Sequence, residues 1–560
     1  MYFKPTVEQE KIFNFFQSGK GHGMIDAVAG SGKTTTIVQG IEYFDKSKSI
    51  LFCAFNKKIQ LEIHKKTIHH KNVIVRTTYA LGLNILKHHY YIFINKEPNT
   101  SKYYNILNEN LKRKKDSYEY ENPSDFSDLF DLIKHAYYSE KRKDEPDTFF
   151  KTFFSNYYSL VDLLRYTLGY SKGTESFKDL IIKYSIEINI DNELQIELYK
   201  KLIENAISIG IELAIHQGIY DFPDMIFLPC ELKLPSPNKF DILFIDECQD
   251  LSNAQLKTIT KHLHPEGRLF AVGDPYQSIY GFAGASPKSF DNIKKIFEPE
   301  MFSLTNCFRC DRSIVNLAKE IRSDIVTSSD REGEIINIKF NQIPNLVKET
   351  DYVLSRHNAD LFEVVFELLK KNIKCKIIGK SEILNGLKNL IANKYYDSTS
   401  YYDNLLEHLQ TLYDISEEKL GSNPANFEKL ENLRDSINII ETCYLNASNI
   451  NNLNQLFLYI ENLMDCNDDE SVILSSIHRA KGLEGKRVFI IGYENLPYKK
   501  EGMLEWQLYQ ENCLKYVAIT RAQNTLFLSE AIPEKQSITL IDIKSNEKCN
   551  LNDEIDNLPI

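Results

Sequence analysis

Three clusters of residues in this chain have types and spacings that could do chemistry. The first is the run Ala27, Val28, Ala29, Gly30, Ser31, Gly32, Lys33, Thr34, Thr35, which follows an apolar stretch and precedes a helical one. That setting is the one a phosphate-binding loop requires: glycines let backbone N–H groups close on phosphate oxygens, Lys33 neutralises the outer phosphates, and the Thr34 hydroxyl can reach Mg2+. The second is Asp246 and Glu247, adjacent carboxylates at the end of the apolar run in FDILFIDECQD. One can hold Mg2+ while the other orients and deprotonates an attacking water, so Asp246 is expected as metal ligand and Glu247 as base. The third is CFRC, residues 307–310. Its cysteines could be half of a zinc clamp or bystanders to the arginine between them, and a second ligand pair is missing.

These residues need a scaffold that presents strand ends to one cleft. Apolar runs recur in HGMIDAVAG, SILFCAF, NVIVRTT, FDILFIDE and GRLFAVGD, with helical stretches between them such as residues 33–43. They read as buried parallel strands. A second set follows Gly284: FSLT, DYVLSR, KCKIIG, SVILSS, KRVFIIG and NTLFLS. Two α/β sheets are the economical reading. Each is interrupted by a segment with helical spacing and no strand signal, at residues 87–235 and 381–468, and the chain ends in the polar, acidic stretch 541–560, expected to be mostly disordered.

At 560 residues the chain needs several cores. Its 42% hydrophobic and 26% charged content places it among globular proteins, and no run is long and apolar enough for a membrane span. The start lacks the pattern of a signal peptide, and ten scattered cysteines suit a reducing compartment, so a soluble intracellular protein is expected. A net charge of -11 does not exclude nucleic acid, because a groove needs only a local basic or aromatic lining.

With the phosphate loop and the carboxylate pair in place, VGDPYQSIYGFAGA, LTNCFRC, YVLSRHN, IHRAKGLEG and YVAITRAQNTLFLS follow in an order and spacing that resemble the UvrD/Rep-like branch of superfamily 1 DNA helicases. FNKK, IYDFPDMIFLP and LTNCFRC lean toward the F-box helicase sub-branch, without an F-box upstream. The resemblance covers residue 6 to about residue 530, except most of the two insertions. It implies two RecA-like domains, 1–86 with 236–295 and 296–380 with 469–540, closing on ATP and Mg2+. It further implies that Gln9 reads adenine, Phe308 packs on it, Glu484 touches the ribose, Gln277 senses the γ-phosphate, and Arg309 and Arg521 reach that phosphate from the second domain. The cysteines of CFRC then carry no assigned chemistry. Thr77, Tyr280, Phe282, Arg356, Asn358 and His478 are the implied DNA contacts.

Departures from the family fall on the nucleic-acid side: Phe282 and Ala283 stand where many relatives carry Trp and Arg, and Tyr79 replaces a usual histidine. No nuclease signature follows Arg521. The implied activity is ATP-driven movement 3-prime to 5-prime on single-stranded or forked DNA with unwinding of duplex. A remodeller that strips proteins from DNA, or an RNA-directed ATPase, would use the same motor. A loading partner at the insertions or acidic tail, and a monomer or weak oligomer, complete the expectation.

Overall fold

The strand β1 (Gly23–Ala27) forms where GMIDA supplies an apolar run too short for a helix, and the chain turns at the glycines that follow it into the helix Lys33–Gly40. The computed structural model describes residues 4–54, 56–112, 129–135, 146–170, 174–184, 186, 188–189, 191–279, 289–391, 402, 404–420, 427–447, 450–463, 471–500 and 503–533. The acidic stretch 541–560, and with it the expectation of disorder there, lies outside the described residues.

The remaining strands of the first sheet are β2 (Ile50–Ala54), β3 (Val73–Thr77), β4 (Phe240–Ile245), β5 (Leu263–Gly273) and β6 (Glu300–Leu304). They lie in the order β3-β2-β4-β5-β1-β6, and every pairing is parallel. Burial of both faces explains the near-continuous apolar sequences of β2 and β4. One face packs Phe13, Phe16, Phe44, Phe52, Phe244 and Phe270 into an aromatic core, and the other packs Met24, Leu51, Leu243 and Leu269.

β6 departs from the sequence reading, which grouped FSLT with the second sheet. It pairs with β1 from Gly23 opposite Glu300 to Ala27 opposite Leu304, so the first sheet gains its edge strand from beyond residue 295. An apolar run specifies a strand but not the sheet it joins.

Short β7 (Asn306–Cys307) and β8 (Val326–Thr327) pair with each other. The second sheet holds β9 (Glu334–Ile338), β10 (Tyr352–Ser355), β11 (Cys375–Ile377), β12 (Val472–Ser476), β13 (Gly485–Ile490) and β14 (Ala522–Ser529) in the order β11-β12-β10-β13-β14-β9. It is parallel throughout.

Both interruptions are helical where described. Between β3 and β4, the helices Lys102–Lys112, Pro146–Thr167, Thr174–Lys183, Glu193–Gln217 and Phe222–Glu231 bury their own core. A charge cluster sits inside it. The Arg165 guanidinium donates to Asp162 at 2.7 Å, Asp221 at 2.7 Å and Asp224 at 2.9 Å, and Lys102 donates to Asp224 at 2.5 Å. Between β11 and β12, the helices Lys380–Ile391, Leu405–Leu420, Phe427–Asn446 and Leu453–Leu463 pack onto the second sheet. Among the described residues no helix is long and apolar enough to cross a membrane.

Candidate active site

In parallel sheets ligands bind beyond the carboxyl ends of the strands, and the sequence-predicted residues gather there. Lys33 follows β1, Asp246 and Glu247 follow β4, and Gln277 lies just beyond β5. The opposing wall comes from the other sheet's half of the molecule: Phe308 and Arg309 after β7, Glu484 before β13, and Arg521 before β14.

The two walls touch. Gly30 has φ +68°, and a Cβ there would lie 2.6 Å from the Arg309 Cβ and 3.0 Å from the Cys307 Sγ. Glycine is therefore required twice over, for the left-handed backbone and for the close approach. The Phe308 N–H donates to the Gly30 carbonyl at 2.9 Å, and the Ala29 N–H donates to the Tyr516 hydroxyl at 3.1 Å. Val28 and Ala29 share a buried cluster with Cys307, Cys310, Tyr516 and Val517.

Thr34 donates to the Asp246 carboxylate at 3.2 Å, and the other Asp246 oxygen accepts the Glu247 N–H at 3.0 Å. A hydroxyl and a carboxylate oxygen this close are hard oxygen donors of the kind that would hold Mg2+. Burial and the neighbouring Glu247 charge push Asp246 upward, against the pull of Lys33. Burial acts on Glu247 the same way, but Lys33, Lys481, the Gln249 hydrogen bond and Arg521 outweigh it and keep the carboxyl well below its ordinary range. Glu247 is thus ionised, as a proton acceptor must be. It sits at φ 52°, ψ 45°, in the left-handed region, with Gln249 donating to it at 2.6 Å.

The cations face this pair. Lys33 forms no hydrogen bond or ion pair with the described residues, yet its charge acts on Asp246, Glu247 and Asp274. Arg521 is 2% exposed and among the described residues donates only to neutral oxygens: the Val517 carbonyl at 2.9 Å, the Leu483 carbonyl at 3.0 Å and the Thr520 hydroxyl at 3.2 Å. Burial, reinforced by Arg309, pushes it down to about 9. A buried guanidinium without a carboxylate calls for an anion. Phe308 is 53% exposed, an uncovered aromatic face beside the phosphate loop.

Other expected residues are occupied with protein partners. Gln9 lies behind the loop, accepting the Thr6 N–H at 3.0 Å and donating to the Thr36 hydroxyl at 2.9 Å. Arg309 and Glu484 pair with each other at 2.5 Å. Gln277 donates to Asp274 at 2.7 Å. The cysteines of CFRC are buried thiols, the Cys307 sulfur accepting the Cys310 N–H at 3.4 Å.

Of the expected DNA contacts, Tyr280 and Phe282 lie outside the described residues. Thr77 ends β3 and caps the helix Thr78–His89, accepting the Ala80 N–H at 3.4 Å. Arg356 and His478 follow the neighbouring strands β10 and β12. Arg356 is tied to Glu511 at 2.7 Å, and Asn358 donates to Asp435 at 3.1 Å. Burial, with Arg356 and His357, pushes His478 down to about 3, so its ring is neutral.

Sequence reasoning did not single out Lys481, which donates to Asp250 and, at 2.6 Å, to the Gln277 carbonyl, although it sits inside the motif IHRAKGLEG. Tyr516 likewise lay within YVAITRA. Arg322, which reaches Asp274 and Asp26, belongs to no motif.

The family described as UvrD/REP helicase N-terminal domain matches residues 6–298, and the UvrD-like helicase C-terminal domain matches residues 381–532. Among curated proteins the chain is 24% identical to F-box DNA helicase protein 1 of Schizosaccharomyces pombe over 56% of this chain and 35% of that one. It is 22% identical to DNA helicase II of Haemophilus influenzae, over 56% of this chain and 59% of that one. With ATP-dependent DNA helicase Rep of Buchnera aphidicola it shares 21% identity over 95% of this chain and 96% of that one. The chain spans about a third and three fifths of the first two relatives. The phosphate loop, the strand-end carboxylates and Arg521 lie within these matches, and the chain belongs to the UvrD/Rep helicase family.

Proposed function

We propose that this chain is an ATP-dependent DNA helicase that moves 3-prime to 5-prime along single-stranded DNA and unwinds the duplex it meets. The observation that carries the reading is Arg521, a buried guanidinium with only neutral hydrogen-bond partners among the described residues, delivered by one half of the molecule to the phosphate loop and carboxylates of the other. Such a charge stabilises the equatorial oxygens of a transferring phosphoryl group and is supplied only when the halves close.

In this reading Lys33 and the N–H groups of the loop bind the β- and γ-phosphates, and Phe308 offers its face to adenine. Glu247 orients the attacking water and takes its proton. Arg309 leaves Glu484 for the γ-phosphate, freeing Glu484 for the ribose, and Gln277 reports that phosphate to the segment carrying Tyr280 and Phe282. Thr34 and Asp246 would hold Mg2+, which when bound neutralises charge on the phosphates. Arg356, Asn358 and His478 are proposed at the DNA path, with Arg356 exchanging Glu511 for backbone phosphate.

Strand displacement tests the reading. A duplex with a 3-prime single-stranded tail is separated in the presence of ATP, and one with only a 5-prime tail is not. ATP-driven separation of the 5-prime-tailed substrate alone would reverse the direction. Hydrolysis with no displacement of either, together with ATP-driven release of a bound protein block, would favour a remodeller.

A further inference from the structure

We infer that Arg322 is a positioning residue that ties closure of the cleft to the alignment of the catalytic carboxylate; the inference rests on the proposed reading of the ATP site. Arg322 follows the helix Arg312–Ala318 on the second half of the molecule, and its side chain is 1% exposed. Its guanidinium is divided across the cleft. One nitrogen donates to Asp274 at 2.6 Å, another to Asp26 on β1 at 2.8 Å, and Nε is held at 2.9 Å by Asp324 of its own half.

Asp274 is 0% exposed and is the centre of a relay. Its second carboxylate oxygen accepts from Gln277, the proposed γ-phosphate sensor, at 2.7 Å. Its N–H donates to the Gln249 side chain at 3.1 Å, and the Gln249 amide donates to Glu247 at 2.6 Å. A Cβ on Gly273 would lie 2.4 Å from that Gln249 oxygen, so glycine is what lets the relay pass. An unbroken hydrogen-bonded path therefore runs from Arg322 on one half, through Asp274, to both the sensor and the base on the other. The planar fork matters: one guanidinium reaches Asp274 and Asp26 at once, which a lysine ammonium on a single stem cannot reproduce.

The decisive variant is Arg322→Lys, which keeps the charge and loses the fork. Steady-state ATP hydrolysis, binding of a non-hydrolysable ATP analogue and thermal unfolding are measured together. The expected result is kcat lowered about 10²-fold, the scale on which remote misplacement of a reacting group acts. Analogue affinity stays within a factor of about three and unfolding stays cooperative, because Lys33 and the loop are untouched. Wild-type kcat in folded Arg322→Lys overturns the inference, as does a loss in kcat matched by an equal loss of analogue binding. If Arg322→Lys does not fold, Asp26→Asn decides: it keeps the shape and removes one charge-assisted hydrogen bond, and kcat should fall about tenfold with analogue binding kept. An unchanged kcat there sinks the relay. Loss of analogue binding in the wild-type protein would instead count against the ATP site itself.

Discussion

Glu247 occupies a left-handed backbone conformation that costs a non-glycine residue about 1–3 kcal/mol, and strain of this kind persists where surrounding contacts over-determine it. Here those contacts are the Gln249 hydrogen bond and the charges of Lys33 and Lys481. Glu247→Gln is therefore expected to fold and bind ATP while kcat falls about 10²–10⁴-fold, the usual worth of a positioned base. Single-turnover hydrolysis checks this, and near-normal turnover would move the role of base elsewhere. Arg521→Ala should keep ATP affinity and lose about 10³-fold in kcat, since in the proposed reading the guanidinium acts on charge that develops during transfer. A defect confined to affinity would refute that role. Cys307→Ser with Cys310→Ser should retain the hydrolysis rate, because both sulfurs are packed in a buried apolar cluster, Cys307 beside Gly30 and Cys310 against the Thr520 carbonyl. Loss of a stoichiometric zinc in that variant would contradict this. Lys33 and the carboxylates could be proposed from spacing alone, and the structure brings Thr34, next to Lys33, within 3.2 Å of Asp246. The arginines were legible only through the motifs around them, since a lone arginine has no spacing signal.

The strands that build each cleft wall could be read as elements because burial on both faces forces continuous apolar runs, as in Leu51–Ala54 and Ile242–Ile245. Their order could not. β1 and β4 flank β5 although over 200 residues separate them in sequence, and β6 joins β1 from across the expected boundary, because pairing is decided by tertiary contacts that leave no periodic mark. The strand Glu334–Ile338 escaped notice because EIINI is short and interrupts its apolar residues with a polar one. Arg322 escaped for a related reason: its three acidic partners, Asp26, Asp274 and Asp324, meet only once two halves of the fold are assembled. The insertion between β3 and β4 was recognised as helical, but not that IYDFPDMIFLP anchors it. Asp221 and Asp224 from that segment enclose Arg165 together with Asp162. Arg165→Met would strand buried carboxylates, and removing one partner of a buried ion pair costs about 3–5 kcal/mol. Lower thermal stability with unchanged ATP affinity is expected, and an unshifted melting curve would show the cluster to be energetically idle.

Across the whole molecule, the contacts between the halves are polar as well as apolar. Ala29 with Tyr516, Lys481 with Asp250 and the Gln277 carbonyl, and Arg322 with Asp26 and Asp274 all span the cleft. Hydrogen bonds and ion pairs are exchanged for water more readily than a hydrophobic interface is parted, which suits the opening and closing proposed for the cleft. Of the residues proposed for the strand path, Thr77 ends β3 in the first sheet, and Arg356 and His478 follow β10 and β12 in the second. The most direct test of the proposed coupling of ATP to DNA is the ATP hydrolysis rate measured alone, with single-stranded DNA and with RNA of matched length. The account predicts a low basal rate, strong stimulation by DNA, little by RNA, and loss of all three in Lys33→Ala. A rate indifferent to DNA, stimulation by RNA alone, or hydrolysis surviving in folded Lys33→Ala would contradict it.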